Sequence, residues 1–295
     1  YASREAGSVE LSTEYGESPV SQLHLHGQLV YLATGGQYQL KGSSGATLRQ
    51  YTSADAQLVL LDISDPVNPE VIDIPTPDGR DTRPYVLNQN LKEFGFTDLQ
   101  YHDEQLGAVG GNRFYLFDTT LATDPLLIFE AELDRGGDCS ASYDGEIGSQ
   151  AHSLVLDRSV AYISGNFGLK VYLTGSRPRL LKSICASELG GQPSQLQRVG
   201  NLLWMLIPSL HQIVAVDLMS GDYQIANRIH LNDAAQAPLP VSDFHIVGEQ
   251  VFVGTAQRAS IALFAVRPDD QSVFINEQPL HAFKAGADVN AKQLQ

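Results

Sequence analysis

The amino-acid sequence predicts an all-β chain, a β-propeller of four-stranded antiparallel blades. Three observations carry that expectation: a hairpin unit returns five times, a second hairpin precedes each copy, and sustained helical periodicity is missing apart from one turn near Leu91 to Phe94.

The clearest hairpin is Leu58-Val59-Leu60-Leu61-Asp62-Ile63, then Ser64-Asp65-Pro66-Val67-Asn68-Pro69, then Glu70-Val71-Ile72-Asp73-Ile74. Two apolar runs flank a turn rich in Asp, Pro and Asn, which is how a tight antiparallel connection reads in sequence. The shape returns at Phe114 to Asp118 with Leu126 to Phe129, and at Leu169 to Leu173 with Leu180 to Ile184. It returns again at Ile213 to Asp217 with Tyr223 to Ile229, and at Ile261 to Val266 with Val273 to Ile275. The hairpin upstream has its second strand at Leu29 to Leu32, Leu106 to Val109, Val160 to Ile163, Leu202 to Leu206 and Val251 to Val253. Its first strand opens with a small polar residue, a polar one, then an apolar one. The five instances are Ser21-Gln22-Leu23, Thr97-Asp98-Leu99, His152-Ser153-Leu154, Ser194-Gln195-Leu196 and Ser242-Asp243-Phe244. Four strands per copy in tandem copies give five blades, and six or seven remain open if the chain is part of a longer one. The expected organisation is an N-terminal segment at 1–19, a propeller at 20–283 and a tail at 284–295. Within the first segment Ser8 to Tyr15 reads as a strand closing or added to the last blade.

Leu58 to Asp62 with the Ser-Asp-Pro-x-x-Pro turn at Ser64 to Pro69 resembles the LVIVD repeat of bacterial secreted and surface propellers. Asp62 recurs as Asp118 and Asp217, whereas Leu173 and Ala265 stand at its place in units three and five. The resemblance implies a propeller exported to the envelope or the cell exterior, and it carries over no catalytic residue.

Loop lengths then separate two faces. Turns between the first and second strands are minimal, as at His26-Gly27-Gln28, Asp157-Arg158 and Val199-Gly200-Asn201. The long connections, Gly35 to Gln57, Pro75 to Gly95 and Asp134 to Gln150, all belong to the opposite class of loop. Long loops in a compact domain carry function more often than short ones. The expected ligand site is therefore the long-loop face, where Gln22, Asp98, Ser153, Gln195 and Asp243 form a ring with His152 beside it. Tyr51, Arg83 and Tyr85 supply aromatic and guanidinium groups from the loops. For the serines and threonines that open each strand, hydrogen bonding to nearby backbone is the more economical role.

Composition bounds the partners. Acidic residues number 34 against 19 basic, a net charge of −15, which argues against a nucleic-acid backbone or an anionic membrane. No apolar run approaches the roughly 20 residues that span a bilayer, so no membrane insertion is expected. The chain opens Tyr1-Ala2-Ser3-Arg4-Glu5 without a cationic and apolar leader, which is expected to have been removed or to lie outside this sequence. Cys139 and Cys185 match no metal or redox spacing. One disulfide or two free thiols are the choices. A bridge closes a loop of about 46 residues and calls for an oxidising compartment.

Other constellations give less. His24 and His26 alternate with Leu23 and Leu25 and share one side of a strand, but no third metal ligand of equal quality accompanies them. Asp134, Asp138, Asp144 and Glu146 crowd one loop without calcium-loop spacing, so calcium is a weak expectation and no cofactor is otherwise implied. Trp204 sits where Tyr31, Tyr162 and Phe252 sit in other copies and is expected to pack a blade. The leading expectation is a non-catalytic module that binds or scaffolds a protein or glycan through its long-loop face. The alternative is a carbohydrate-active hydrolase or lyase in which Asp98 and Asp243, with His152, act as acid and base.

Overall fold

A computed structural model describes residues 20–34, 37–41, 47–52, 57–72, 85–86, 96–133, 139, 150–255, 260–265 and 273–279. The fold is a β-propeller of five antiparallel sheets in tandem. The first holds β1 (Val20–His26), β2 (Leu29–Thr34), β5 (Gln57–Asp62) and β6 (Glu70–Ile72), with β7 (Tyr85–Val86) also paired to β5. Its long connection carries a separate hairpin of β3 (Gln37–Lys41) and β4 (Thr47–Thr52). The second sheet holds β8 (Asp98–His102), β9 (Gln105–Gly110), β10 (Arg113–Asp118) and β11 (Leu126–Glu132). The third holds β12 (Ala151–Asp157), β13 (Val160–Gly165), β14 (Gly168–Leu173) and β15 (Arg179–Cys185). The fourth is β16 (Gln195–Val199), β17 (Leu202–Ile207), β18 (Gln212–Asp217) and β19 (Ile225–His230). The fifth is β20 (Asp243–Val247), β21 (Gln250–Thr255), β22 (Ser260–Ala265) and β23 (Val273–Pro279).

Two short elements were not anticipated from sequence: a one-turn helix α1 (Ala186–Leu189) and a 3-10 turn at Pro208–Leu210. The strand expected at Ser8 to Tyr15, the turn at Leu91 to Phe94 and most of the three long connections lie outside the described residues.

The chain divides into two compact units. Unit one is Tyr1–Gly136, Ser142–Tyr162 and Val171–Leu181; unit two is Gly137–Ala141, Ile163–Lys170 and Lys182–Gln295. In unit one the core between the first two sheets is made by Tyr31, Leu58, Leu60, Leu99, Leu106 and Phe117. In unit two Trp204, Leu206, Ile213, Phe244, Val251 and Phe264 fill the space between the fourth and fifth. Strands buried on both faces, such as β9 and β17, read as near-continuous apolar runs instead of alternating ones.

Local chemistry sets the turns. Between β8 and β9, Asp103 and Glu104 both take positive φ (45° and 60°) and close the tight turn that twisted antiparallel strands favour. At the end of the third strand, the repeated aspartate explains the sequence motif. Asp62, Asp118 and Asp217 each accept the backbone N–H two residues on, from Ser64, Thr120 and Met219 at 2.7, 2.8 and 2.8 Å. Such a side-chain turn starts the next hairpin; the Ser64 N–H holds the Asp62 carboxyl below the usual range, and the Thr120 hydroxyl, then its N–H, does the same for Asp118.

Two glycines answer to space. A Cβ on Gly107 would meet Leu154 Cδ2 at 2.8 Å, so a larger residue there forces the Leu154 side chain to shift. Gly168 combines φ of +114° with a Cβ direction that ends 2.1 Å from the Ile184 carbonyl.

Candidate functional site

The first strand of each sheet, β1, β8, β12, β16 or β20, uses only one of its backbone edges for ladder pairing among the described residues. A propeller must therefore satisfy the other edge by different means. On β1, β8 and β16 polar side chains reach the backbone at the next first strand.

Opening residues bind locally. In the second, fourth and fifth sheets Thr97, Ser194 and Ser242 donate their N–H to the carbonyls of Val109, Leu206 and Gly254, the last residue but one of the second strand. The Thr97 hydroxyl lies 2.8 Å from the Ala151 carbonyl, at the threshold of the third sheet. The Ser194 and Ser242 hydroxyls lie 3.5 and 3.3 Å from their own sheet's carbonyls.

Asp98 comes next. Its Oδ1 accepts from Leu99 N at 2.8 Å and Gln100 Nε2 at 3.4 Å, and its Oδ2 from Leu154 N at 2.8 Å and Ser153 Oγ at 3.0 Å. A carboxylate offers about four acceptor positions, and here the protein fills them all. Burial pushes the Asp98 carboxyl above its usual range, against the pull of those four donors. A saturated carboxylate joins β8 to β12; it has no position left for a substrate.

In unit two amides perform the equivalent task. Gln195 Oε1 accepts Phe244 N at 3.1 Å while its Nε2 lies 3.4 Å from Phe244 O. Gln197 accepts Ile246 N at 2.7 Å and donates to Ile246 O at 3.0 Å. A glutamine amide carries the same donor and acceptor as a peptide group, so two glutamines at i and i+2 replace a missing ladder along β20. In unit one Gln22 Nε2 likewise donates to Thr97 O at 3.0 Å.

Asp243 matches Asp98 in part, its Oδ1 accepting Phe244 N at 2.8 Å. His152 is half-buried beside Ser153 on β12 and has interactions of its own. Tyr51 lies in β4 opposite Tyr38, and Tyr85 lies in β7 opposite Leu58. Arg83 lies outside the described residues, as do Asp134, Asp138, Asp144 and Glu146. The residues chosen from sequence thus divide: Gln22, Asp98 and Gln195 reach across to the next first strand, while nothing described gathers Tyr51, Tyr85 and His152 with them.

A second group is more open to chemistry. On β1, Gln22, His24 and His26 share one side, and both imidazoles meet Tyr101 of β8. His26 stacks on the Tyr101 ring with centroids 4.0 Å apart, and His24 lies at 5.8 Å with rings 20° from parallel. Tyr31 flanks Tyr101 at 5.9 Å and is held by its hydroxyl, which donates to Ala122 O at 2.9 Å. Burial, then the neighbouring His26, lowers the His24 pKa, so its imidazole is neutral at pH 7. His26 is exposed, which opens the cluster to solvent. The alternation His-x-His signalled this pair in the sequence, but Tyr101 lies 75 residues from His26 and only the fold brings it there.

Cys139 and Cys185 form a disulfide with Cα atoms 4.9 Å apart. Their sulfurs and Glu188 make the one His, Cys, Asp and Glu cluster compact enough for a metal among the described residues. Oxidised sulfur offers no thiolate ligand there. Among the described residues no helix is long and apolar enough to cross a membrane.

No protein-family model matches the chain, and no curated protein matches it by sequence. Solved structures do. A protein of Bacteroides uniformis named as a 6-phosphogluconolactonase aligns with a TM-score of 0.56 and 13% identity, over 86% of this chain and 69% of that one. A Bacteroides fragilis protein named in the same way gives 0.57 and 12%, over 90% and 72%. The periplasmic gluconolactonase of Pseudomonas aeruginosa gives 0.54 and 13%, over 89% and 69%. At these identities the likeness shows the fold. It also corrects the expectation of a non-catalytic module: three structures built this way are named as lactonases, which are hydrolases. The physical reason for the error is that the repeat pattern records strand packing, which a binding propeller and a hydrolytic one share.

Proposed function

We propose that the chain is a propeller hydrolase that opens a cyclic sugar ester, with a neutral gluconolactone-type compound as its substrate class. The observation that carries this reading is the likeness to lactonase-named propellers along nearly nine tenths of the chain. Among the alternatives weighed from sequence, it favours the hydrolase over the scaffold.

The His24, His26 and Tyr101 cluster supplies suitable chemistry. A neutral imidazole within reach of solvent can take a proton from water as the water oxygen attacks the lactone carbonyl. The bond from the carbonyl carbon to the ring oxygen then breaks. The same imidazole returns the proton to that oxygen, leaving the free hydroxy acid. The stacked rings of His26 and Tyr101 provide a flat surface for the face of a sugar.

Charge selects between neutral and phosphorylated lactones. A net charge of −15 repels a phosphate-bearing substrate. The disulfide suits an oxidising compartment such as the periplasm or the cell exterior, and supports an exported enzyme. Acid release from δ-gluconolactone and from 6-phosphogluconolactone, measured by pH-stat above the spontaneous rate, tests this directly. The neutral lactone should turn over faster. A rate no higher than spontaneous with both compounds removes the reading.

A further inference from the structure

Cys139, Cys185 and Glu188 all belong to unit two, and one ligand atom from each lies within 4.8 Å of the other two. Cys139 reaches the others from the segment Gly137–Ala141. Cys185 and Glu188 are anchored independently of the sulfur bond. Cys185 ends β15, and the next residue, Ala186, donates its N–H to the Phe167 carbonyl at 3.1 Å. That bond seats the junction on the turn between β13 and β14. Gly168 packs against the same junction, where a Cβ would end 2.1 Å from Ile184 O and 2.8 Å from Cys185 C. At the far end of α1, Arg228 Nη1 on β19 donates to Leu189 O at 3.0 Å. Glu188 is therefore held between two fixed residues. Its Oε1 accepts Cys185 N–H at 2.9 Å. A carboxylate has about four acceptor positions, so this bond orients the group and still leaves room for an ion.

We propose that the reduced form of this trio is a zinc site, so that the disulfide and a metal are alternative ties between the same two segments. Two thiolates and one carboxylate suit zinc, which takes sulfur at about 2.3 Å and oxygen at about 2.1 Å and leaves a fourth tetrahedral place for water. Calcium and magnesium demand oxygen ligands instead. Two sulfurs on one zinc stand about 3.8 Å apart. Free cysteines whose Cα atoms are 4.9 Å apart reach that span by turning about their Cα–Cβ bonds.

The exchange balances. A dithiol gives two electrons and two protons to the sulfur pair, the S–S bond breaks, and the dithiol leaves as its own disulfide. Zinc then displaces the two thiol protons to water. In an oxidising compartment the sulfur bond holds the segments together, and in a reducing one the metal does the same mechanical work.

The test uses the whole chain, reduced with a phosphine, desalted without oxygen and titrated with zinc against a chromophoric chelator. Reduced wild type should take up one equivalent, and oxidised wild type none against that competitor. Cobalt in place of zinc should give thiolate-to-metal charge-transfer absorption, which nitrogen and oxygen ligands do not. Cys139→Ser and Cys185→Ser should lose both signals. Glu188→Gln keeps an oxygen for Cys185 N–H but loses the charge, and should bind about 10-fold more weakly. Zinc should raise the melting temperature of reduced wild type, as a ligand confined to the folded state must, and leave that of Cys139→Ser where it was. Reduced wild type that holds zinc no better than the oxidised chain or Cys139→Ser overturns the proposal. So does cobalt bound without the thiolate band, a melting temperature that zinc does not move, or Glu188→Gln binding as tightly as wild type.

Discussion

In unit one a single buried carboxylate joins the second sheet to the third; in unit two a pair of neutral amides joins the fourth to the fifth. Asp98 gathers four donors and sits where burial raises its carboxyl. Gln195 and Gln197 pair with peptide groups as another strand would. The mechanical task is the same, but the carboxylate concentrates it on one residue while the amides divide it between two. The carboxylate join should therefore be both harder to replace and sensitive to pH.

Replacement gives the largest difference. Asp98→Ala leaves buried N–H groups of Leu99 and Leu154 and the Ser153 hydroxyl without their acceptor. The expected loss is about 3–5 kcal/mol, read as a shift in the urea midpoint. Gln197→Ala should cost about 1–2 kcal/mol, with Gln195→Ala no worse. Equal losses at all three positions would break the comparison.

Titration gives a smaller difference. The folded carboxyl of Asp98 is raised, so its contribution is fully present below the unfolded value of 3.8 and fades as pH rises through the folded value. Asp98→Asn should flatten that part of the stability profile. Gln197→Glu should create such a slope, because above its own pKa a carboxylate oxygen faces the Ile246 carbonyl. His24 has the opposite sign: its pKa is lowered, so the unfolded chain takes the proton first and stability falls as pH drops below 6.5. His24→Gln should remove that fall in a melting series from pH 7 to pH 5 without touching the Asp98 slope.

The smallest effect concerns the turn aspartates. Asp118→Asn keeps an oxygen for Thr120 N and should melt with the wild type, while Asp118→Ala should melt slightly earlier. These residues are half-buried where strand meets turn, and their bonds are local.

That gradient tracks what the sequence disclosed. The hairpins were legible because alternation, turn chemistry and the recurring aspartate are local signals, and Asp62, Asp118 and Asp217 stand where strand and turn meet. The polar second position of each first strand was legible too. Its role was not, because the partner of Gln195 is the backbone of Phe244, 49 residues away, and backbone atoms leave no mark in composition. Asp98 read as a candidate acid for the same reason: a carboxylate at a strand opening looks free for chemistry until its four donors are in place. The His24 and His26 pair was visible as spacing, whereas Tyr101, which turns it into a stacked cluster, came only with the fold.

The division between joining and reacting residues is tested most directly by δ-gluconolactone hydrolysis at pH 7, per folded molecule, for Asp98→Asn and His24→Gln. The predicted result is a rate within a few-fold of wild type for Asp98→Asn and a loss of about 10²–10⁴ for His24→Gln. The reverse order, with activity lost at Asp98 and kept at His24, would contradict it.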